Sequence, residues 1–207
     1  MKITIISDTH NLHHQFKTLE GDVLIHCGDM FNLYDDDPSA LSNIDDWFGK
    51  QNFDLILCTG GNHDHLLENH VKARGNPFKN AVYLQDERYE YHGVVFYGSP
   101  WVPDLSRHAF YQNEAGLIAK WSRIPTDTDV LITHTPPFKI LDQSSRGMVL
   151  GCEFLSRELA RVVPKLHCFG HVHASPGMVK QGQTTYINAS SVNSRVELAR
   201  EPIVFEI

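Results

Sequence analysis

Five short apolar runs in this sequence each lead directly into a polar cluster rich in Asp, His, Asn and Gly, and this repeated junction restricts the possible folds more than any other feature. The clusters are Ser7-Asp8-Thr9-His10, Gly28-Asp29, Gly60-Gly61-Asn62-His63-Asp64, Thr133-His134 and Gly170-His171-Val172-His173. β-type runs occupy residues 2–6, 22–26, 54–58, 94–98, 129–133 and 166–170. They are apolar nearly throughout, as strands covered on both faces are. Helical candidates fall at 39–49, 64–73, 112–121 and 152–163, the last preceded by Gly151 and stopped at Pro164. Residues 81–98, around His92-Gly93, and 178–188, around Gly182, read as hairpins. The pattern predicts a layered α/β fold with mixed sheets and helices outside.

A chain of 207 residues with a hydrophobic fraction of 42% suffices for one domain with a real core, and neither repeats nor a linker divide it. The formal net charge is -7, with both signs mixed along the chain. That excludes the basic stripe a long nucleic acid needs. There is no 18-residue apolar run, and the apolar stretch at the N-terminus is too short for a signal segment, so no membrane partner is expected. Cys27, Cys58, Cys152 and Cys168 are far apart and lack CxxC pairing. A reduced, cytoplasmic protein is the expectation.

Loops at strand ends are where α/β folds place ligand sites, so the five clusters are expected to share one rim. Asp8 and His10 are two apart, as are His171 and His173. In extended backbone such pairs project the same way and form two-pronged clamps. Carboxylate and imidazole together suit divalent Mn, Fe, Zn, Co or Ni rather than Ca or Mg. Asn62 adds a neutral oxygen, and the neighbouring glycines permit tight turns.

The ordered series D-x-H, G-D, G-N-H-D, T-H and G-H-x-H resembles the calcineurin-like metallophosphoesterase superfamily. The segments Asp22–Asp29, Tyr97–Trp101, Leu131–Pro137, Leu141-Asp142, Gly151-Cys152, Leu166–His173 and Asn188–Ser190 look like its metallophosphoesterase-domain-containing branch. The resemblance implies a layered αββα fold with two mixed β-sheets flanked by helices. It also implies two metals, most often Mn. Asp8, His10, Asp29 and His173 would hold one, and Asn62, His134 and His171 the other, with Asp29 bridging. The implied activity is hydrolysis of small phosphodiesters, including cyclic nucleotides. Two divalent ions about 3.5–4 Å apart acidify a shared water, so the expected nucleophile is a hydroxide bridging them. Two such ions set against Asp8, Asp29 and that hydroxide leave a net charge of about +1, which favours a singly charged diester.

His63 follows a ligand position and is expected to touch a phosphate oxygen or protonate the leaving group. Related phosphatases orient this histidine with an aspartate, but here that position is Asn32. Asn62 and His63 are thus candidate substrate contacts, joined by Trp101 and Arg146 from the loops after other strands. Trp101, with Phe110, either stacks a base or anchors its loop, and Arg146 meets a phosphate or is solvated. Ser190 is a further candidate pocket residue. His26 and His167, inside β-type runs, are expected to be core or ligand-supporting residues. His13, His14 and His65 read as exposed residues near the site, and His70, His92 and His108 as ordinary surface. Asp35-Asp36-Asp37 before Pro38 reads as a helix start rather than a cation site. Segment 81–98 offers an apolar face for a possible homodimer. The competing functions are a metal-dependent nuclease, a phosphomonoesterase and a non-catalytic partner-binding protein.

Overall fold

The computed structural model describes residues Met1–Ile207. Eleven strands form two mixed sheets. β1 (Lys2–Ile6), β2 (Val23–His26), β3 (Leu55–Cys58) and β4 (Val82–Tyr83) run parallel in the first, and β11 (Ile203–Glu206) pairs antiparallel to β1 at its edge. The second sheet has the order β5 (Glu87–Tyr91), β6 (Val94–Ser99), β7 (Val130–Thr133), β8 (Leu166–Phe169), β10 (Thr184–Asn188), β9 (Gly177–Gln181). Its four central strands are parallel and its two edge strands antiparallel. Helices α1 (Ser39–Phe48) and α2 (His65–Arg74) are the crossovers of the first sheet, and α3 (Glu114–Trp121) and α4 (Glu153–Val162) those of the second. The αββα layering expected from the sequence is present.

Side-chain alternation along the strands builds two cores. One face of each strand meets the opposite sheet: Ile3, Ile5, Val23, Ile25 and Leu57 pack against Phe96, Val130, Ile132, Cys168 and Ile187. The other face, with Ile6, Leu24, Leu131 and Phe169, packs against helix residues such as Ile44, Phe48, Leu117, Trp121, Leu155 and Leu159. Runs that look uniformly apolar in sequence are strands with two buried faces. All four cysteines are buried and unpaired, which fits their reading as small hydrophobes.

Segment 81–98 divides. Val82-Tyr83 closes the first sheet, while β5 and β6 form the hairpin whose turn places His92 (φ 49°) and Gly93 (φ 76°) in left-handed backbone. Asp86 marks the switch between sheets and accepts bonds from Ser99 Oγ, Trp101 Nε1 and Lys120 Nζ, each at 2.8 Å. β11 lacks a clear sequence signal, since it is a half-exposed edge of four residues just after Pro202. Asp37 does open α1, accepting from Ser39 N at 2.9 Å and Ser39 Oγ at 2.7 Å. No helix is long and apolar enough to cross a membrane.

Phe96 is fully buried between the sheets. Phe96→Ala is expected to cost about 3–5 kcal/mol, because the flanking strands cannot collapse into the space it leaves. Guanidinium unfolding followed by tryptophan fluorescence measures this as a lowered midpoint with an unchanged slope.

Candidate metal centre

The C-terminal ends of β1, β2, β3, β7 and β8 meet at one rim, held together by main-chain bonds. Asp8 N donates to Gly28 O at 2.9 Å, His10 N to Asp29 O at 3.1 Å, and Gly170 N to His134 O at 3.1 Å. Two glycines permit this close approach. A Cβ on Gly28, whose φ is +96°, would lie 2.6 Å from the Gly60 carbonyl, and one on Gly170 would collide with Ser7 Oγ and the Asp8 carboxylate.

The i, i+2 pairs do converge, but not through extended backbone. Asp8, His10, Asp29 and His171 have φ of 55°, 43°, 54° and 69°, so left-handed turns aim these side chains. Such conformations cost about 1–3 kcal/mol each and persist only where surrounding structure enforces them. Here His171 N donates to both Asp8 carboxylate oxygens at 3.1 Å, and His63 N donates to Asp29 Oδ1 at 2.7 Å.

The seven expected ligand positions fall into two groups that share Asp29. In the first, His173 Nε2 lies 3.4 Å from Asp8 Oδ1 and 3.3 Å from His10 Nε2, and His10 Nε2 lies 4.0 Å from Asp29 Oδ2. In the second, Asn62 Oδ1 is 2.9 Å from His134 Nε2 and 2.7 Å from His171 Nδ1, and His134 Nε2 is 3.4 Å from Asp29 Oδ2. His63 Nε2 also reaches within 4.0 Å of Asp29 Oδ2, and its ring is 4.8 Å from that of His10.

The donor set fits divalent cations. His10 Nδ1 donates to Phe31 O at 3.1 Å and His134 Nδ1 to Cys27 O at 2.9 Å, which turns the Nε2 of each toward the carboxylates. Trios of ligand atoms from Asp8, His10 and His173, and from Asp8, Asp29 and His134, each lie within 4.8 Å. Electron pairs converging at such distances require protons or metal between them.

Electrostatics express the same demand. Burial favours the neutral acid for Asp29, but the His134 charge and hydrogen bond hold its carboxyl well below the usual range. Asp8 is likewise held low against burial by its hydrogen bond and attraction to His173. Burial alone would lower His134, yet Asp29 raises it to about 9. His173 is raised against burial by Asp8, and His171 falls to about 3 through burial.

Several supporting residues carry weak sequence signals or none. Asp64, the last residue of the G-N-H-D cluster, accepts from Phe31 N at 3.0 Å and Gly61 N at 2.8 Å and so ties two site loops together. Burial and the Asp29 charge push its carboxyl up to about 8. Arg200 donates to His173 O at 2.9 Å and to the Ser190 and Val192 carbonyls, bracing the last site loop from the C-terminal segment. Asn188 Nδ2 bonds the Leu141 and Val172 carbonyls, both at 3.0 Å. His26 supports Thr9 Oγ1 at 2.9 Å and His167 supports Thr133 Oγ1 at 2.8 Å, in keeping with their supporting role.

Other candidates lie elsewhere. Trp101 is an anchor: it is buried, donates Nε1 to Asp86, and carries the Lys120 ammonium 4.2 Å above its ring, so no face is free for a base. Phe110 is buried against it. Arg146 is exposed at a turn where only its main-chain N bonds, to Ser144 Oγ. Ser190 is buried beside Ser7 through a bridge between the sheets. His13 is buried against Trp47 rather than exposed. His108, read from sequence as ordinary surface, reaches Asn62. Nothing in its neighbours announces that.

Residues 1–175 match the calcineurin-like phosphoesterase family. The chain belongs to that family. This phosphoesterase is 36% identical to the UPF0046 protein K07C11.7 of Caenorhabditis elegans, over its whole length and 75% of that protein. It is 32% identical to the human metallophosphoesterase domain-containing protein 1, again over its whole length and 71% of that protein. Among solved structures, TT1561 of Thermus thermophilus superposes with a TM-score of 0.54 at 12% identity, covering 90% of this chain and 88% of that one, which shows the shared fold. The phosphoesterase is a metal-dependent hydrolase of phosphoric esters.

A divalent ion needs neutral imidazoles, while in the metal-free protein His134 keeps its proton up to about pH 9. Metal loading at pH 7 is therefore expected to release protons. Affinity should rise with pH by about tenfold per unit for each proton displaced, levelling off near pH 9. Calorimetric titration with Mn²⁺ in buffers of different ionisation enthalpy counts the protons; a pH-independent affinity would contradict the ligand role of His134.

Proposed function

We propose that this phosphoesterase is a two-metal phosphodiesterase for small substrates, with cyclic nucleotides as the preferred class and Mn²⁺ as the preferred metal. Asp8, His10, Asp29 and His173 hold one ion, and Asp29, Asn62, His134 and His171 the other. The observation that carries this reading is the pair of ligand groups sharing one buried carboxylate, Asp29, at a rim open enough for His63 to remain 27% exposed at its side chain. The two ions supply an acidified water and neutralise charge on the phosphoryl oxygens.

The chain's own residues account for the rest. Asn62 and His63 are the contacts for the phosphoryl group, and His63 stands beside Asp29 with Nε2 toward the ligands. Burial lowers the His63 pKa, with Asp29 acting against it, so at neutral pH the ring is mostly neutral and donates a single hydrogen bond. Its Nδ1 is buried without a partner, and Asn32 is exposed. A dyad carboxylate that would hold His63 protonated for a poor alkoxide leaving group is missing, which favours diesters with better leaving groups over phosphoproteins. The net charge of -7 favours a small ester over a polymer.

Protein dialysed against chelator and resupplied with Mn²⁺ is expected to hydrolyse bis-p-nitrophenyl phosphate faster than p-nitrophenyl phosphate. His63→Ala should reduce kcat by about 10²–10⁴-fold with little change in metal binding. A panel of 2′,3′- and 3′,5′-cyclic nucleotides then ranks the natural class. Lack of metal-restored turnover, with no effect of the His63 variant, would refute the assignment.

A further inference from the structure

His108 lies on the long loop between β6 and α3, and the loop is fixed just after it. Ala109 N donates to the Asn62 carbonyl at 3.1 Å, and Phe110 N donates to Glu68 Oε1 at 3.0 Å. The Phe110 ring fills the space above Gly60, where any Cβ would strike it, and Phe110 itself sits in left-handed backbone at φ 55°. A bulky residue in that conformation persists only where its surroundings enforce it, so His108 is delivered to the rim by a built loop.

Its tautomer follows from its partner. Asn62 must turn Oδ1 toward His134 and His171, which it approaches at 2.9 and 2.7 Å, so its Nδ2 points the other way, 3.2 Å from His108 Nδ1. An amide N–H can only donate, so His108 Nδ1 accepts and the ring proton resides on Nε2. That Nε2–H makes no bond within the chain and remains open to solvent. The His63 ring has His10 at 4.8 Å and His108 at 6.0 Å. A phosphodiester held by two cations still carries oxygens that point away from them, and these need donors on the protein side.

We propose that His108 is a second phosphate-contacting residue, donating Nε2–H beside His63 to an ester or non-bridging oxygen, while its Nδ1 fixes the amide of Asn62. This rests on the two-metal reading above. It gives His63, which lacks an aspartate, a companion donor from another loop, and it makes the orientation of Asn62 and the grip on phosphate parts of one hydrogen-bonded chain.

The test uses the full chain loaded with Mn²⁺ and inorganic phosphate as the probe, with both metal and phosphate binding followed by calorimetry. With both metal sites saturated by excess Mn²⁺, His108→Ala is expected to weaken phosphate binding by about 10–100-fold, the range for a lost bond to a charged group, alongside a weaker Mn²⁺ affinity from the freed Asn62 amide. His108→Gln, which keeps an amide donor, should recover part of the loss and covers the case in which the alanine variant folds poorly. Unchanged phosphate affinity in these variants overturns the proposal. So does a lost metal site whose refilling by excess Mn²⁺ restores phosphate binding, since His108 would then serve only to hold Asn62. An original protein that binds no Mn²⁺ refutes the two-metal reading itself, whereas failure of the variants alone refutes only the role of His108.

Discussion

Asp29 is a fully buried carboxylate with two obligations. Oδ1 accepts the His63 main-chain N–H at 2.7 Å, and Oδ2 faces the Nε2 atoms of His134, His10 and His63 at 3.4, 4.0 and 4.0 Å. Removing a carboxylate from water costs several kcal/mol unless positive charge surrounds it. Protonated His134 supplies that charge in the metal-free protein, and divalent ions supply more of it. The other polar features of the rim follow from this need: the Nε2 atoms of His10 and His134 turned inward, carbonyls of Cys27 and Phe31 holding their opposite nitrogens, and a second carboxylate, Asp8, within 4.8 Å and in contact with His173.

Such a concentration of like lone pairs opposes folding, and the two-sheet core offsets it. Parallel strands of both sheets end at the same height, so the dense inter-sheet layer around Ile5, Ile25, Phe96, Ile132 and Cys168 fixes the five loop origins. Within that frame the loops adopt left-handed turns at Asp8, His10, Asp29 and His171 that a less constrained chain would relax. Bonds between loops then lock them: His171 N to Asp8, Phe31 N to Asp64, and Arg200 to the His173 carbonyl. Strain at these candidate ligands and rigidity in the sheets are two aspects of one arrangement.

This division explains what is legible in the sequence. Strand and helix positions are readable because apolar runs and crossovers are local patterns, and the five clusters are readable because each follows a strand directly. Strand alternation is the wrong reason for the Asp8/His10 and His171/His173 pairs, since turn geometry brings them together. Positive φ at Asp and His leaves no compositional mark comparable to glycine. His108, His13 and Arg200 are illegible for another reason: their roles depend on contacts across 46, 34 and 27 residues, to Asn62, Trp47 and His173. Trp101 looks like a pocket wall because its loop follows a strand end, but the buried Asp86 carboxylate, from a sheet-switching turn with no motif of its own, draws the indole inward.

The outer layer of the site depends on contacts separate from those that hold the candidate ligands. The candidate ligands sit at strand ends that the αββα fold supplies, whereas the loops around them are held by anchors in separate places. Phe110 and Asp86 fix the loop that bears His108, the Asp64 bracket fixes the loop after Asp29, and Asn188 fixes residues 141 and 172. Each anchor side chain is buried and polar or aromatic. Exposed Asn32 in place of a carboxylate belongs to this same layer. It leaves the His63 ring positioned by the main-chain bond to Asp29 and by packing, with no side-chain partner at Nδ1.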